Sequence, residues 1–167
     1  MIEPTPTTLQ RFLPAALASI GVGALVVAYS AEIVYGLKAC NLCIAQRVPY
    51  VAIAVIGWTG LRRPRWISSG NLAAAASFVF LIGGIIAIYH VGVEQNLWES
   101  ATNCGGKVGQ IFTVETLQAA LELEPPKACD DIDWTFLGVS MATYNAFLSL
   151  VLAGITFNTA RRIWVTS

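Results

Sequence analysis

Residues 66–93 read WISSGNLAAAASFVFLIGGIIAIYHVGV, a stretch with no formal charge and with the chain's one histidine, His90, near its end. A helix crossing a hydrocarbon core of about 30 Å needs roughly 20 predominantly apolar residues, so this stretch is long enough to cross a bilayer. Two other charge-free runs, 12–31 and 134–160, also suffice. A fourth run, 48–61, is short. It reaches full length only if Cys43 to Arg47 supplies its first turn, which puts Arg47 at headgroup depth, where its long stem can snorkel.

The composition agrees with that reading. The chain of 167 residues is 56% hydrophobic and 12% charged, against roughly 45–50% and about 25% in ordinary soluble domains. Its formal net charge is zero, which gives no footprint for nucleic acid. The expected fold is all-α, a four-transmembrane-helix bundle forming a single membrane domain over 1–167. Its spans lie at about 12–31, 44–61, 70–92 and 135–158, with a short outer loop at about 32–43 and a long one at about 93–134.

Charge placement orients the bundle. Arg11 precedes the first span, Arg62, Arg63 and Arg65 lie between the second and third, and Arg161 and Arg162 follow the fourth. By the excess of positive charge on cytoplasmic loops, both termini are expected inside. The segment 94–133 is acidic, with only Lys107 and Lys127 as cations, and is expected outside with all four cysteines. The first span is too long for the apolar region of a cleaved signal peptide, and its lead has one Arg and one Glu in place of a positive block.

Residues 1–10, with Pro4 and Pro6, read as a disordered lead. Gly21, Gly23, Gly83, Gly84, Gly138, Ala142 and Ala146 are small residues of the kind that let membrane helices approach closely. In the long loop, Thr113 can cap a short helix with Val114, Leu117 and Leu121 on one face, ended by Pro125 and Pro126. Such a helix would lie on the outer membrane surface and anchor the loop. Gly105, Gly106 and Gly109 are expected to keep the loop mobile enough to carry a cysteine between two partners.

Four cysteines outside the cell membrane would ordinarily suggest two structural disulfides. Cys40 and Cys43, however, form C-N-L-C. A bond across two intervening residues closes too small a loop to remove much chain entropy and suits thiol exchange better. The pair precedes the second span, at the positive end of a helix dipole, with Arg47 one turn beyond Cys43. Both features favour thiolate, and a nucleophilic Cys43 is expected. The competing readings are a passive bridge and a zinc site completed by Cys104 and Cys129. Cys104 and Cys129 by themselves could equally be a loop staple. His90 and Arg47 fall at one depth, and ionisable groups at that depth are functional candidates.

The run Ala39-Cys40-Asn41-Leu42-Cys43-Ile44-Ala45-Gln46-Arg47, the Tyr89-His90 pair, and Cys129 followed by Trp134-Thr135-Phe136-Leu137-Gly138-Val139-Ser140-Met141 resemble the bacterial DsbB family over nearly the whole chain. Departures are Ala39, where many members carry proline, and a slightly longer stretch from His90 to Cys104.

The resemblance implies a multi-pass protein of the bacterial inner membrane with its cysteine loops in the periplasm. Its activity would be that of a protein-dithiol:quinone oxidoreductase. It would reoxidise a DsbA-type periplasmic thioredoxin-fold oxidant and pass two electrons to ubiquinone or menaquinone. By resemblance, Cys104 is attacked by the reduced partner to give a mixed disulfide. Cys129, its bonded mate, is released and exchanges with Cys40, and Cys43 then meets the quinone. Arg47, His90 and Met141 would line the quinone site, with no metal. DsbA lies near about −120 mV, so the acceptor must be more oxidising. The alternative from a different class is a non-enzymatic membrane protein clamping zinc with the four cysteines. A reductase passing electrons outward is the third possibility.

Overall fold

A computed structural model describes residues 8–62, 67–98, 100, 128–132 and 134–166. The expected surface helix near 113–124, the glycine-rich part of the long loop and Cys104 lie outside the described residues.

Four helices are long and apolar enough to cross a membrane, over Gln10–Tyr35, Asn41–Leu61, Ser69–Glu94 and Met141–Val165. Helix α1 covers Thr8–Tyr35. A short helix α2, Asn41–Ala45, leads through Gln46 into α3, Arg47–Leu61. Helix α4 covers Ser69–Glu94 and α5 covers Met141–Thr166. Helix α2, Asn41–Ala45, supplies the first turn of the second span, a little ahead of the Cys43 to Arg47 turn read from the sequence.

The fourth helix, expected over 135–158, begins at Met141. The residues before it form an antiparallel hairpin of β1, Thr135–Phe136, and β2, Val139–Ser140, paired Thr135 to Ser140 and Phe136 to Val139. Leu137 and Gly138 turn it with φ of 51° and 78°. Two successive positive φ values give the turn twist that suits a two-residue hairpin. Gly138 therefore serves a turn and not helix packing. Ser140 ends the hairpin and starts the helix: its hydroxyl accepts the Thr143 backbone N–H at 3.3 Å, a side-chain cap.

Small residues line the seams between helices, and many large apolar ones face outward. Ala73, Ala76, Ala87, Ala153 and Ala160 are buried, whereas Val27, Val55, Phe78, Ile85, Phe147 and Ile155 are exposed. That inversion of a soluble core is expected where lipid is the solvent and close backbone approach holds helices together. A Cβ on Gly21 would sit 2.6 Å from the Ala54 nitrogen, so this glycine sets the contact of α1 with α3; Gly57 meets Ala18 in the same seam. On the other side Gly84 accommodates Leu150, bringing α4 onto α5. Gly23 has nothing within 4 Å of such a Cβ, so it does not act in packing. Leu17, Tyr50, Ile53, Phe80 and Ile163 fill the centre. The cysteine pair is thereby placed at one end of the bundle, against the last turns of α4 and Cys129.

Candidate active site

Helix α2 starts at Asn41, so its cap is Cys40. The Cys40 sulfur accepts the Cys43 backbone N–H at 3.2 Å. The two sulfurs lie 2.9 Å apart, against roughly 2.05 Å in a formed disulfide, and both cysteines are reduced. Small movements of either side chain would make or break the bond.

Cys40 is held as thiolate, its pKa lowered from the ordinary 9.0 to about 4. The hydrogen bond from the Cys43 thiol is the largest cause; burial opposes it, and His90 and the Cys43 backbone N–H add to it. The reading from sequence placed the activated sulfur at Cys43. The lowered value falls on Cys40, first because the Cys43 thiol bonds its sulfur, with the Cys43 N–H at the capping position adding to it.

His90 reaches the pair from the last turns of α4. It is 4% exposed, and its Nε2 lies 3.6 Å from the Cys40 sulfur and 3.9 Å from Glu94 Oε1. Its ring also hydrogen-bonds the main chain of Cys129. On the far side, Nδ1 lies 2.6 Å from the Gln46 amide nitrogen. Gln46 Oε1 accepts from the Asn145 amide of α5. Asn145 Oδ1 in turn accepts the Tyr50 hydroxyl at 2.5 Å and the Ser149 hydroxyl at 3.2 Å. Polar side chains from three helices thus converge on Cys40.

Arg47 is turned toward α1. Its guanidinium donates to Glu32 at 2.5 Å and stacks over the Tyr29 ring at 4.6 Å, a charge-assisted bond and a cation–π contact together. Beside these groups opens a cavity of about 580 Å³. Cys43, Arg47, His90, Met141, Glu32 and Gln46 mark its polar end, and apolar residues of α1 and Leu148 of α5 line the rest. Arg47, His90 and Met141, expected from the sequence to line a quinone site, are all among the residues that line this cavity with Cys40 and Cys43.

Cys129, 1% exposed, belongs to one buried cluster with Cys40, Leu42 and Val93, against which Cys43 and Tyr89 pack. It is disulfide-bonded, and to neither Cys40 nor Cys43, which are both thiols. Its sulfur is therefore not available as a thiolate ligand, which removes the four-cysteine zinc clamp as it was expected. The Cys40, Cys43 and His90 ligand atoms do fall within 4.8 Å of one another. Two thiolates at about 2.3 Å from a tetrahedral zinc stand roughly 3.8 Å apart, wider than the 2.9 Å found. The spacing favours exchange between sulfurs over metal binding.

Glu32, Gln46, Tyr50 and Asn145 were not singled out in the sequence. Their signal was available in part, since a polar residue inside or at the edge of a span is a candidate for function by position alone.

A family model described as DsbB: Disulfide bond formation protein DsbB matches residues 10–158. A disulfide bond formation protein B of Xanthomonas axonopodis pv. citri is 32% identical over 150 residues, 85% of either chain. One of Polaromonas sp. is 29% identical over 135 residues, 75% of this chain and 77% of its own. An uncharacterized protein of Rickettsia prowazekii is 26% identical over 144 residues, 85% of this chain and 83% of its own. No solved structure matches the chain.

Proposed function

The chain belongs to the DsbB family of disulfide-generating oxidoreductases of the inner membrane, and on that premise we propose that it oxidises a DsbA-type periplasmic partner and delivers the electrons to membrane quinone. The carrying observation is the division of the cysteine cluster. Cys40 is buried against disulfide-bonded Cys129, and its less buried mate Cys43 lies beside it at the wall of the cavity that both line.

Electrons enter at the long loop. The partner's thiolate attacks Cys104 of a Cys104–Cys129 disulfide, forming a mixed disulfide and releasing Cys129. Cys129 then attacks Cys40 of the Cys40–Cys43 disulfide and releases Cys43, an exchange that its packing supports. The partner's second thiolate displaces Cys104 and leaves as disulfide, and Cys104 attacks the Cys129–Cys40 bond, restoring Cys104–Cys129 and freeing Cys40. When the Cys40–Cys43 bond has been consumed, both thiols are reduced, the state described above. Reclosing that bond yields two electrons and two protons, and quinone supplies the matching two-electron acceptor chemistry.

The cavity suits such a group. Its volume lies within the ordinary range for small-molecule sites, roughly 300–1,000 Å³, and its walls are apolar with a polar end. Arg47 and His90 would hold the oxygen-bearing ring and Met141 would pack on it. Arg47 supplies positive charge where negative charge develops, and His90 keeps a ring nitrogen at the Cys40 sulfur. The arginines between the second and third spans and after the fourth support cytoplasmic termini and periplasmic cysteines.

The test is a single turnover. Quinone added to detergent-purified protein with Cys40 and Cys43 reduced is expected to give one quinol per chain with loss of both thiols, and none in Cys43→Ser. Quinol formation undiminished in Cys43→Ser overturns the reading.

A further inference from the structure

The hydrogen bonds that end on Cys40 form a directed chain. Tyr50 and Ser149 both place hydroxyls on Asn145 Oδ1. With its oxygen so occupied, the Asn145 amide nitrogen is the group turned to Gln46, and it donates to Gln46 Oε1. The Gln46 nitrogen is then left facing His90 Nδ1 at 2.6 Å. A primary amide nitrogen has only hydrogens to offer, so Nδ1 accepts. An imidazole whose Nδ1 accepts carries its hydrogen on Nε2.

The other side of the ring gives the same answer from different partners. Nε2 faces a Glu94 carboxylate oxygen at 3.9 Å, an acceptor, and the Cys40 sulfur at 3.6 Å, which accepts as thiolate. Glu94 is itself fixed by the Ser140 hydroxyl, which donates to Oε2 at 2.5 Å. Two independent sets of contacts, one from α3 and α5 and one from the ends of α4 and β2, therefore place the hydrogen on the nitrogen nearest the reactive sulfur.

We propose that Gln46 and Asn145 are positioning residues for Cys40: the Asn145 amide orients the Gln46 amide, which keeps the His90 hydrogen on Nε2, directed at the Cys40 sulfur. The arrangement gives the buried thiolate a donor that needs no charge of its own. It also gives α5 a grip on the chemistry of a cysteine that precedes α2, since Asn145 and Gln46 are 99 residues apart in sequence. The consequence for turnover rests on the oxidase reading; the position of the hydrogen does not.

Because His90 is the chain's one histidine, the test is direct. Imidazole nitrogens are labelled with ¹⁵N and read by NMR in the full-length protein in detergent, with Cys40 and Cys43 reduced. A pyridine-like Nδ1 and a hydrogen-bearing Nε2 are expected. Asn145→Leu removes the donor to Gln46 and is expected to give a mixture of tautomers. Gln46→Glu replaces the amide donor with an acceptor and is expected to pull the hydrogen onto Nδ1. In Asn145→Leu the pH titration of thiolate ultraviolet absorbance should also move upward by about half a pKa unit, leaving about twofold less Cys40 thiolate at the wild-type midpoint. A wild-type spectrum with the hydrogen on Nδ1, or nitrogen signals unmoved in both variants, overturns the proposal. Absence of quinol formation in the wild type would instead count against the oxidase reading, with the nitrogen spectrum unaffected.

Discussion

The Arg47 guanidinium donates to the Glu32 carboxylate at 2.5 Å from the start of α3 to the end of α1. Its stack on Tyr29 fixes the plane of the fork, so the cation stands ready at the cavity's polar end without being buried unpaired. A hydrogen bond to a charged group contributes about 1.5–3 kcal/mol. Arg47→Ala is accordingly expected to lower kcat/KM for quinone roughly 10- to 150-fold. Arg47→Lys keeps the charge but loses the planar fork and the ring stack, and its kcat/KM should fall between the two. Steady-state quinone reduction over a range of quinone concentrations measures both; an Arg47→Ala enzyme with wild-type kcat/KM contradicts the assignment.

Cys40 should titrate far below an ordinary thiol. Its value is lowered from 9.0 to about 4, first by the Cys43 thiol and then by His90 and the helix-end N–H. Because the folded value lies below the unfolded one, the thiolate's contribution to stability of the reduced protein is fully present above pH 9. It declines as pH falls and is lost below about pH 4. Thiolate absorbance of the reduced protein should hold its first plateau from about pH 5 to 8. A first midpoint near 9 would show that Cys40 is an ordinary thiol.

Helix contact at Gly21 predicts a stability effect that its neighbour Gly23 does not share. A methyl on Gly21 would press on the Ala54 backbone at 2.6 Å, whereas one on Gly23 meets nothing within 4 Å. Overpacking of this kind costs about 1–3 kcal/mol. In detergent, thermal unfolding of Gly21→Ala is expected well below the wild type, with Gly23→Ala unchanged. Equal midpoints for the two variants would refute the α1–α3 seam as drawn.

Burial of Cys129 with Cys40 predicts a trappable bond. With Cys43→Ser and Cys104→Ser combined, Cys40 and Cys129 are each other's remaining partners, and mild oxidation should join them. Mass spectrometry of non-reduced peptides reads the bond, and recovery of both as thiols under oxidising conditions would refute the exchange step.

The sequence disclosed the four spans because charge-free length is a local property, and the edge of the second span was legible through Arg47. The start of the fourth was not, since apolarity alone does not separate a hairpin from a helix turn. The alternation of Trp134, Thr135 and Phe136 before Gly138, with Ser140 as cap, was the available cue. The site was legible where residues carry chemistry in their type, as Cys40, Cys43, Cys129, Arg47 and His90 do. It was not legible where function depends on pairing across the fold. Gln46 meets His90 from 44 positions away and Asn145 meets Gln46 from 99, and nothing local in either residue announces its partner. The bond from the Cys43 N–H to the Cys40 sulfur has a similar origin, because the capping position was fixed only once the first residue of α2 was known.

The most direct test of the central claim is to mix detergent-purified protein, quinone and a reduced DsbA-type partner in excess and follow quinol and partner disulfide together. One quinol per partner disulfide over many turnovers, abolished in Cys104→Ser and in Cys43→Ser, is the predicted result. Partner that stays reduced while quinone is untouched, or quinol that is consumed while partner disulfide is lost, would contradict the proposed reaction and its direction.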